Sequence, residues 1–283
     1  MQQQLDEYLD HLETLPAAPR ILPELIALLQ KDDVDNGRVI ELIAFDPGVT
    51  AGVLRVSNSA CFAGVTPVDN LAEAVCRLGF GQIYQLVLAA TGAGLLGGAQ
   101  KAYGLNRGEL WQHSVTSAVA AQIIARELNG DENLVFTAAL LHDLGKIVLT
   151  EALNDRYAAL VDQSQLRQTA LIEVEKQLLG VQHAEIGGRL LARWNFPSTI
   201  VNAVWHHHEP EEAGADCRLA AYIYLGNMIS YFMGFGYGHQ PLALRGREGA
   251  LSILGLKSDC LPDFMIRTFE KLRVVEAMVN LKA

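Results

Sequence analysis

Apolar residues recur at helical spacing along almost the whole of this chain, and no stretch alternates apolar and polar residues long enough to predict a β-strand. The clearest stripes lie at residues 22–29, 39–44 and 134–141. Local signals also predict a short helix from Asn70 to Leu78, ended near Gly79, and a more apolar one from Gly81 to Ala93. The spacing therefore predicts an all-α fold.

The chain is long enough for one large hydrophobic core, with 283 residues of which 50% are hydrophobic and 19% are charged. The glycine-rich segment TGAGLLGGAQ, which starts at Thr91, predicts a junction between two helical clusters. We therefore predict a single domain, with an N-terminal helical half over residues 1–100 and a second half over 101–283.

Charge and cysteine usage exclude several classes of protein. The chain has 22 basic and 32 acidic residues, a net charge of −10, and no segment rich in Lys and Arg, so direct nucleic-acid binding is not expected. No CxxC spacing occurs among the four cysteines, which favours core thiols over a zinc ribbon or disulfides.

Nothing in the pattern predicts a membrane or secretory segment. The first residues are polar and acidic, unlike a secretory signal. Two long uncharged stretches, at 78–100 and 219–244, are interrupted by polar residues and glycines, which indicates buried helices followed by loops. We expect a cytoplasmic protein.

Six of the eight histidines lie between His113 and His208. They occur in four segments, ELWQHSV, LLHDLGK, GVQHAEIGG and WHHHEP, the second of which also supplies Asp143. Neutral imidazoles and a carboxylate that arrive from separate helices are the usual parts of a divalent metal site.

Two interpretations of His142 and Asp143 are open. The preceding residues 134–141 are apolar on every side, which predicts a helix buried all round. A carboxylate at its end needs a cation, and Lys146 lies one turn further on, so an internal Asp–Lys pair beside a core histidine is one interpretation. A metal pair is the other.

The three consecutive histidines at 206–208 cannot all be ligands of one site if they are helical. A helix advances by about 100° per residue, so at most two of the three side chains can face one point.

Several phrases of the sequence, in order, resemble the HDOD family, the HD-related output domain of bacterial signalling within the HD superfamily of metal-dependent phosphohydrolases. The resemblance covers roughly residues 15–256. It is carried by LPAAPRILPELIALL, AFDPGVTAGVLRVSNSACFAG, AVCRLGF, LLHDLGKIVL and HAEIGGRLLARWNFPSTIVNAVWHHHEP. It implies one all-helical HDOD domain whose second half keeps the HD helices.

The resemblance also implies a set of metal ligands and two departures from it. The implied ligands are His113, His142, Asp143, His183, His207 and His208. The superfamily closes its site with an aspartate where this chain has Asn227, whose neutral amide is a poorer ligand, so the resemblance implies a weakened, vestigial site for Fe, Mn, Ni or Mg. The Gly-Tyr-Pro loop of the cyclic-dinucleotide phosphodiesterases is missing after Glu209.

Two functions therefore remain. In the first, the chain is a non-enzymatic regulatory module that acts through signalling proteins and retains a degenerate HD metal site. In the second it is a metal-dependent phosphohydrolase, in which Asp143 and the histidines hold metal and Lys146 neutralises charge in the transition state. Glu109 is either a further ligand or base, or a solvated carboxylate at a helix start. Asn58 is predicted to make a turn rather than to act in catalysis.

Overall fold

The computed structural model describes residues 28, 36–44, 50, 53–54, 56–58, 62, 67–151, 171–236 and 247–279. Every regular element in these ranges is a helix, apart from an isolated bridge between Gln100 and Leu105. The predicted all-α fold is confirmed. The predicted stripe at 22–29, apart from Leu28, and residues His11, Cys61 and His239 lie outside the described residues.

Twelve α-helices are named below in chain order among the described residues. They are α1 Asn36–Ala44, α2 Leu71–Leu78, α3 Phe80–Leu96, α4 Glu109–Glu127, α5 Glu132–Leu141, α6 at 144–151, α7 Leu171–Leu179, α8 His183–Arg193, α9 Ser198–Trp205, α10 Cys217–Phe232, α11 Arg247–Leu254 and α12 Leu261–Val279. Short 3₁₀ turns cover Lys101–Tyr103, Pro210–Asp216 and Ser258–Cys260.

Helices α2 and α3 begin and end where their local sequence predicts. The side chain of Asn70 caps α2 by accepting a hydrogen bond from Glu73 N at 2.9 Å. Gly79 then separates the two helices with a φ of 76°, a left-handed value that favours glycine.

Helix α3 continues past its predicted end at Ala93 to Leu96, and it takes in the first part of the glycine-rich segment. A Cβ at Gly92 would lie 3.4 Å from Leu140 Cδ2, an ordinary van der Waals distance, so α3 contacts α5 at this point. The chain leaves the helix at Gly97.

The core of the second half is built around α4, which packs along α10 and α5. Small residues permit this approach: a Cβ at Gly226 of α10 would lie 2.4 Å from Ser117 O of α4. Helix α5 is enclosed, and all its residues from Val135 to Leu141 are buried. These three helices bring the polar residues at their ends into the interior.

One helical stretch among the described residues, Glu132–Glu151, has the length and apolar composition that crossing a membrane would require. Its most apolar window is 83% buried inside the protein. This is the pattern of a core helix, and it agrees with the enclosure of α5.

Candidate metal centre

Four segments that are distant in sequence bring polar side chains to one buried point. His113 lies in the second turn of α4, and His142 and Asp143 form the turn between α5 and α6. His183 is the first residue of α8, whereas His207 and His208 follow α9. The structure thus brings together all six residues implied as ligands, and we call these six the histidine cluster.

Asp143 is at the centre of the histidine cluster and has no exposed surface. Its Oδ2 lies 3.4 Å from His113 Nε2 and 3.4 Å from His142 Nε2, and its Oδ1 lies 3.3 Å from His183 Nε2. Three imidazoles from three segments therefore point the same nitrogen at one carboxylate.

Lys146 is the nearest cation to this carboxylate, with its Nζ 2.6 Å from Asp143 Oδ2. Burial alone would raise the pKa of Asp143, but Lys146 and His183 hold this pKa well below its ordinary value. The Lys146 ammonium also lies 5.6 Å from the centre of the Tyr103 ring. The internal Asp–Lys pair that the sequence offered as one interpretation is present.

Backbone carbonyls set the tautomers of three imidazoles. His142 Nδ1 donates to Ala139 O and His207 Nδ1 donates to Val204 O, each at 2.7 Å. His113 Nδ1 lies 3.2 Å from Phe235 O. Since a carbonyl only accepts, Nδ1 carries the proton in each ring, and Nε2 presents a lone pair to the cluster.

These three Nε2 atoms are buried and have no hydrogen-bond partner among the described residues. Burial lowers the pKa of His113 to about 3, against the opposing effect of Asp143. Burial likewise holds the pKa values of His207 and His208 well below the ordinary range. Neutral imidazoles with free lone pairs are what a transition metal binds, so the side chains fit such an ion.

The ligand atoms fall into two adjacent groups, in each of which all atoms lie within 4.8 Å of one another. The first consists of His113, His142 and Asp143, and the second of His183, His207 and His208. Asn227, where the superfamily has its closing aspartate, is 2% exposed, and its Oδ1 has no partner among the described residues. His206 lies apart and stacks on Trp205, with ring centres 6.5 Å apart.

Glu175 of α7 belongs to the site but was missed by the sequence analysis. Its Oε2 lies 2.8 Å from His183 Nδ1 and accepts from His183 N at 2.8 Å, while its Oε1 accepts from Tyr103 OH at 2.8 Å. Burial alone would lower the pKa of His183, yet Glu175 and Asp143 raise it. A carboxylate that orients a ligating histidine in this way is common around metal sites.

A signal for Glu175 does exist in the sequence. It shares a stripe with Ile172 and Leu179, at spacings of three and four residues, and all three are buried. A carboxylate on the apolar stripe of an amphipathic helix indicates a buried polar partner.

Glu109 and Asn58 have local roles. Glu109 accepts at its two oxygens from Asn106 N and Asn106 Nδ2, each at 2.8 Å, and so closes the turn before α4. Asn58 Nδ2 donates to Val68 O at 2.7 Å, and Asn58 Oδ1 accepts from Val68 N at 2.7 Å. Both side chains thus pair with neighbouring chain segments.

The fold is similar to that of several solved structures. An HDOD domain protein of unknown function from Geobacter sulfurreducens superposes with a TM-score of 0.76 at 22% identity, covering 98% of this chain and 95% of that one. A Shewanella amazonensis protein, provisionally named a phosphohydrolase, gives 0.72 at 24% identity, covering 97% and 96%. A Marinobacter aquaeolei protein, provisionally named a signal transduction protein, gives 0.72 at 22%, covering 98% and 64%.

The regions of two sequence relatives that match this chain make up less than half of the length of each relative. An uncharacterised protein of Treponema pallidum is 27% identical over 228 residues, which are 79% of this chain and 44% of that protein. Ribonuclease Y of Thermus thermophilus is 35% identical over 114 residues, 40% of this chain and 15% of the enzyme. The family model of the HDOD domain matches residues 15–210, and this chain therefore belongs to the HDOD domain family.

Proposed function

We propose that this chain is a regulatory module that acts through a signalling-protein partner, and that its histidine cluster is a degenerate HD site that does not turn over a substrate. The observation that carries this proposal is the enclosure of Asp143. Its side chain is 0% exposed, and the side chains of His113 and His183 that face it are each 1% exposed. A phosphoester would have to reach this carboxylate or a metal beside it.

The charge balance of the cluster supports the same proposal. Lys146 neutralises Asp143 at 2.6 Å, and Glu175 lies 2.8 Å from a nitrogen of His183, whose pKa is raised. Asp143 is thus matched by a cation within the protein, and Glu175 by hydrogen-bond donors from His183 and Tyr103. Since a buried charge needs either such partners or a metal, neither carboxylate requires an added ion.

The chain that follows α10 covers one side of the cluster. Phe235 O accepts from the His113 ring, and a Cβ at Gly236 would lie 2.5 Å from His113 Nδ1. The contact is so close that a ligand cannot approach His113 from this side without moving the backbone.

The cluster also fits a metal. Its two groups would hold one ion each or share one, and the preponderance of imidazole favours Fe or Ni over Mg among the ions considered. A bound ion would lower the pKa of a coordinated water and polarise a phosphoryl oxygen. Lys146 and Glu175 would remain as the groups that balance Asp143 and orient His183.

A metal-dependent phosphohydrolase is the second candidate function. It is favoured by the lone pairs of His113, His142 and His207, which converge without a partner among the described residues. Asn227 argues against it, because a neutral amide replaces the closing carboxylate. Replacing Asn227 with Asp therefore tests whether the missing carboxylate is what makes the site degenerate.

The test is a paired measurement on the full chain: metal content of the purified protein, and hydrolysis of bis(p-nitrophenyl) phosphate with added Mn²⁺. We expect turnover no higher than that of Asp143→Asn, and an Asn227→Asp variant that binds Mn²⁺ at least tenfold more tightly. Metal retained without turnover supports the regulatory proposal. Turnover that is lost in Asp143→Asn overturns it and favours the phosphohydrolase.

A protein partner is proposed because of the charge of the chain and one helix face. The net charge of −10 disfavours nucleic acid, and α12 leaves the large apolar side chains of Ile266 and Phe269 61% and 59% exposed, three residues apart. A photo-crosslinking amino acid at position 269 is expected to give one discrete protein adduct in cells. The same probe at exposed Lys257 is the control, and equal labelling at both positions contradicts the proposal.

A further inference from the structure

The two groups of ligand atoms in the histidine cluster differ in the oxygen of Asp143 that faces them. Asp143 Oδ2 lies 3.4 Å from His113 Nε2 and 3.4 Å from His142 Nε2, so this oxygen faces the first group. The same oxygen accepts a hydrogen bond from Lys146 Nζ at 2.6 Å. Asp143 Oδ1 faces the second group, 3.3 Å from His183 Nε2, and has no hydrogen-bond partner among the described residues.

Lys146 disfavours a metal ion in the first group. Its side chain is 4% exposed and lies against the Tyr103 ring, so its charge is held inside the protein. A dication on Asp143 Oδ2 would share this oxygen with the ammonium, and like charges repel strongly where water is excluded. The first group offers only two imidazoles, those of His113 and His142, to offset that repulsion.

The second group offers three imidazoles that are already oriented. His207 Nε2 is buried without a partner among the described residues, and Val204 O holds the ring through Nδ1 at 2.7 Å. Glu175 holds His183 through Nδ1 at 2.8 Å. His208 Nε2 lies 2.9 Å from His183 Nε2, so a proton must lie between these nitrogens, and a metal ion would replace it. Three imidazoles in one place suit a transition metal better than an oxygen-preferring ion such as Mg²⁺.

The second group is also the part of the cluster that is nearest to solvent. His208 is half-buried, whereas each of the other five cluster residues is at most 1% exposed. A hydrated ion therefore meets the imidazole of His208 before it meets any ligand of the first group.

We propose that the cluster binds one transition-metal ion at His183, His207 and His208, and that Lys146 keeps a second ion out of the first group. This inference rests on the fit of the cluster to a metal under the proposed function, and it assigns the ion to one half of the cluster. The degenerate site is then a nitrogen-rich centre for a single ion, with Asp143 Oδ1 at its edge.

The experiment is a calorimetric titration of the metal-stripped full chain with Ni²⁺, which gives both stoichiometry and affinity. We expect one Ni²⁺ per chain. His208→Phe should lower the affinity about 100-fold or more, since loss of even an outer partner of a ligand costs about 10–100-fold. His206→Phe is the matched control, because His206 is the half-buried neighbour outside the cluster and should leave the affinity unchanged. His113→Phe, in the first group, should change the affinity less than about threefold.

Lys146→Met tests the exclusion of a second ion. Without the ammonium, Asp143 Oδ2 is free, and we expect the stoichiometry to rise from one Ni²⁺ to two. Should this buried substitution prevent folding, the comparison of His208→Phe with His206→Phe still tests the assigned ligands, because both side chains are half-buried.

Four results overturn the inference: no bound Ni²⁺, two Ni²⁺ in the unchanged chain, an equal loss of affinity in His113→Phe and His208→Phe, or a folded Lys146→Met variant that still binds one. Absence of Ni²⁺ leaves the regulatory proposal standing. Phosphodiester turnover, measured separately, overturns the regulatory proposal and leaves the assignment of the ion in place.

Discussion

Buried polar groups lie near both ends of helices α6 and α8, and the two sets of groups differ in their hydrogen-bond partners. Near their first residues, Asp143 pairs with Lys146, and Glu175 pairs with His183. Near their last residues, Gln100 Oε1 and Thr150 Oγ1 are buried and have no hydrogen-bond partner among the described residues. The comparison indicates that polar burial is compensated by paired groups at the first end, whereas two buried oxygens are left uncompensated at the second end.

The largest expected effect is at the paired end. Asp143→Ala removes the carboxylate and leaves Lys146 as an uncompensated buried cation, so the free energy of unfolding should fall by about 3–5 kcal/mol. Urea denaturation measures this. Asp263→Ala is the control, because its side chain is 67% exposed and its ion pair with Arg267 should contribute less than about 1 kcal/mol. Equal losses of unfolding free energy in the two variants would contradict the expected difference between a buried and an exposed carboxylate.

The contact between the two helices is the next test. Gly145→Ala places a methyl group against His183 O, so the backbones must separate, and we expect a loss of about 3 kcal/mol in thermal or urea unfolding. Gly81→Ala makes the same change where a Cβ meets nothing within 4 Å, and should stabilise α3 by roughly 0.5–1 kcal/mol. A stable Gly145→Ala variant would mean that α6 and α8 are not held at this contact.

A smaller effect is expected from the residue that orients His183. Glu175→Gln keeps the shape of the side chain but weakens its hold on the imidazole, so the affinity for Ni²⁺ should fall about 10–100-fold. Competition with a chromophoric chelator measures the affinity. Glu173→Gln, on the same helix but only half-buried, is the matched variant. Unchanged affinity in Glu175→Gln would show that this carboxylate is structural only.

The smallest effect is expected at Thr150, near the last residue of α6. Thr150→Val deletes a hydroxyl that has no partner among the described residues, so the free energy of unfolding should stay within about 1 kcal/mol of the original or rise. Thr137→Val deletes a buried hydroxyl that donates to Asn133 O at 2.8 Å and also contacts Tyr84 OH, and should cost about 1–2 kcal/mol. If thermal unfolding ranks the two variants the other way, the Thr150 hydroxyl is satisfied in solution.

The helix boundaries that depend on local signals could be predicted from the sequence. Asn70 and Gly79 bound α2 through interactions within four residues of the chain. The end of α3 could not be predicted in this way, because Gly92 and Gly94 lie inside the helix although glycine is a weak helix former. Glycine is therefore an ambiguous signal for the end of a helix.

The same division between local and long-range interactions holds for the candidate site. The resemblance to the HDOD family implied the six ligands, and these residues converge in the structure. Glu175 and Tyr103 could not be assigned as partners, since the hydrogen bond between them joins residues 72 positions apart. A pocket lined in part by Gln100 and Thr150 likewise arises only when α3, α6 and α8 are assembled.

The hydrogen bonds from His142 to Ala139 O and from His207 to Val204 O each span three residues. Such bonds lie within the local helical turn, so the turn that carries each ring also fixes the orientation of that ring. Ion capture would then require little rotamer search, and ion release would leave the rings in place. Exchange at the cluster would consequently be governed by movements of the surrounding chain, such as the segment at Gly236, rather than by rotation of the imidazoles.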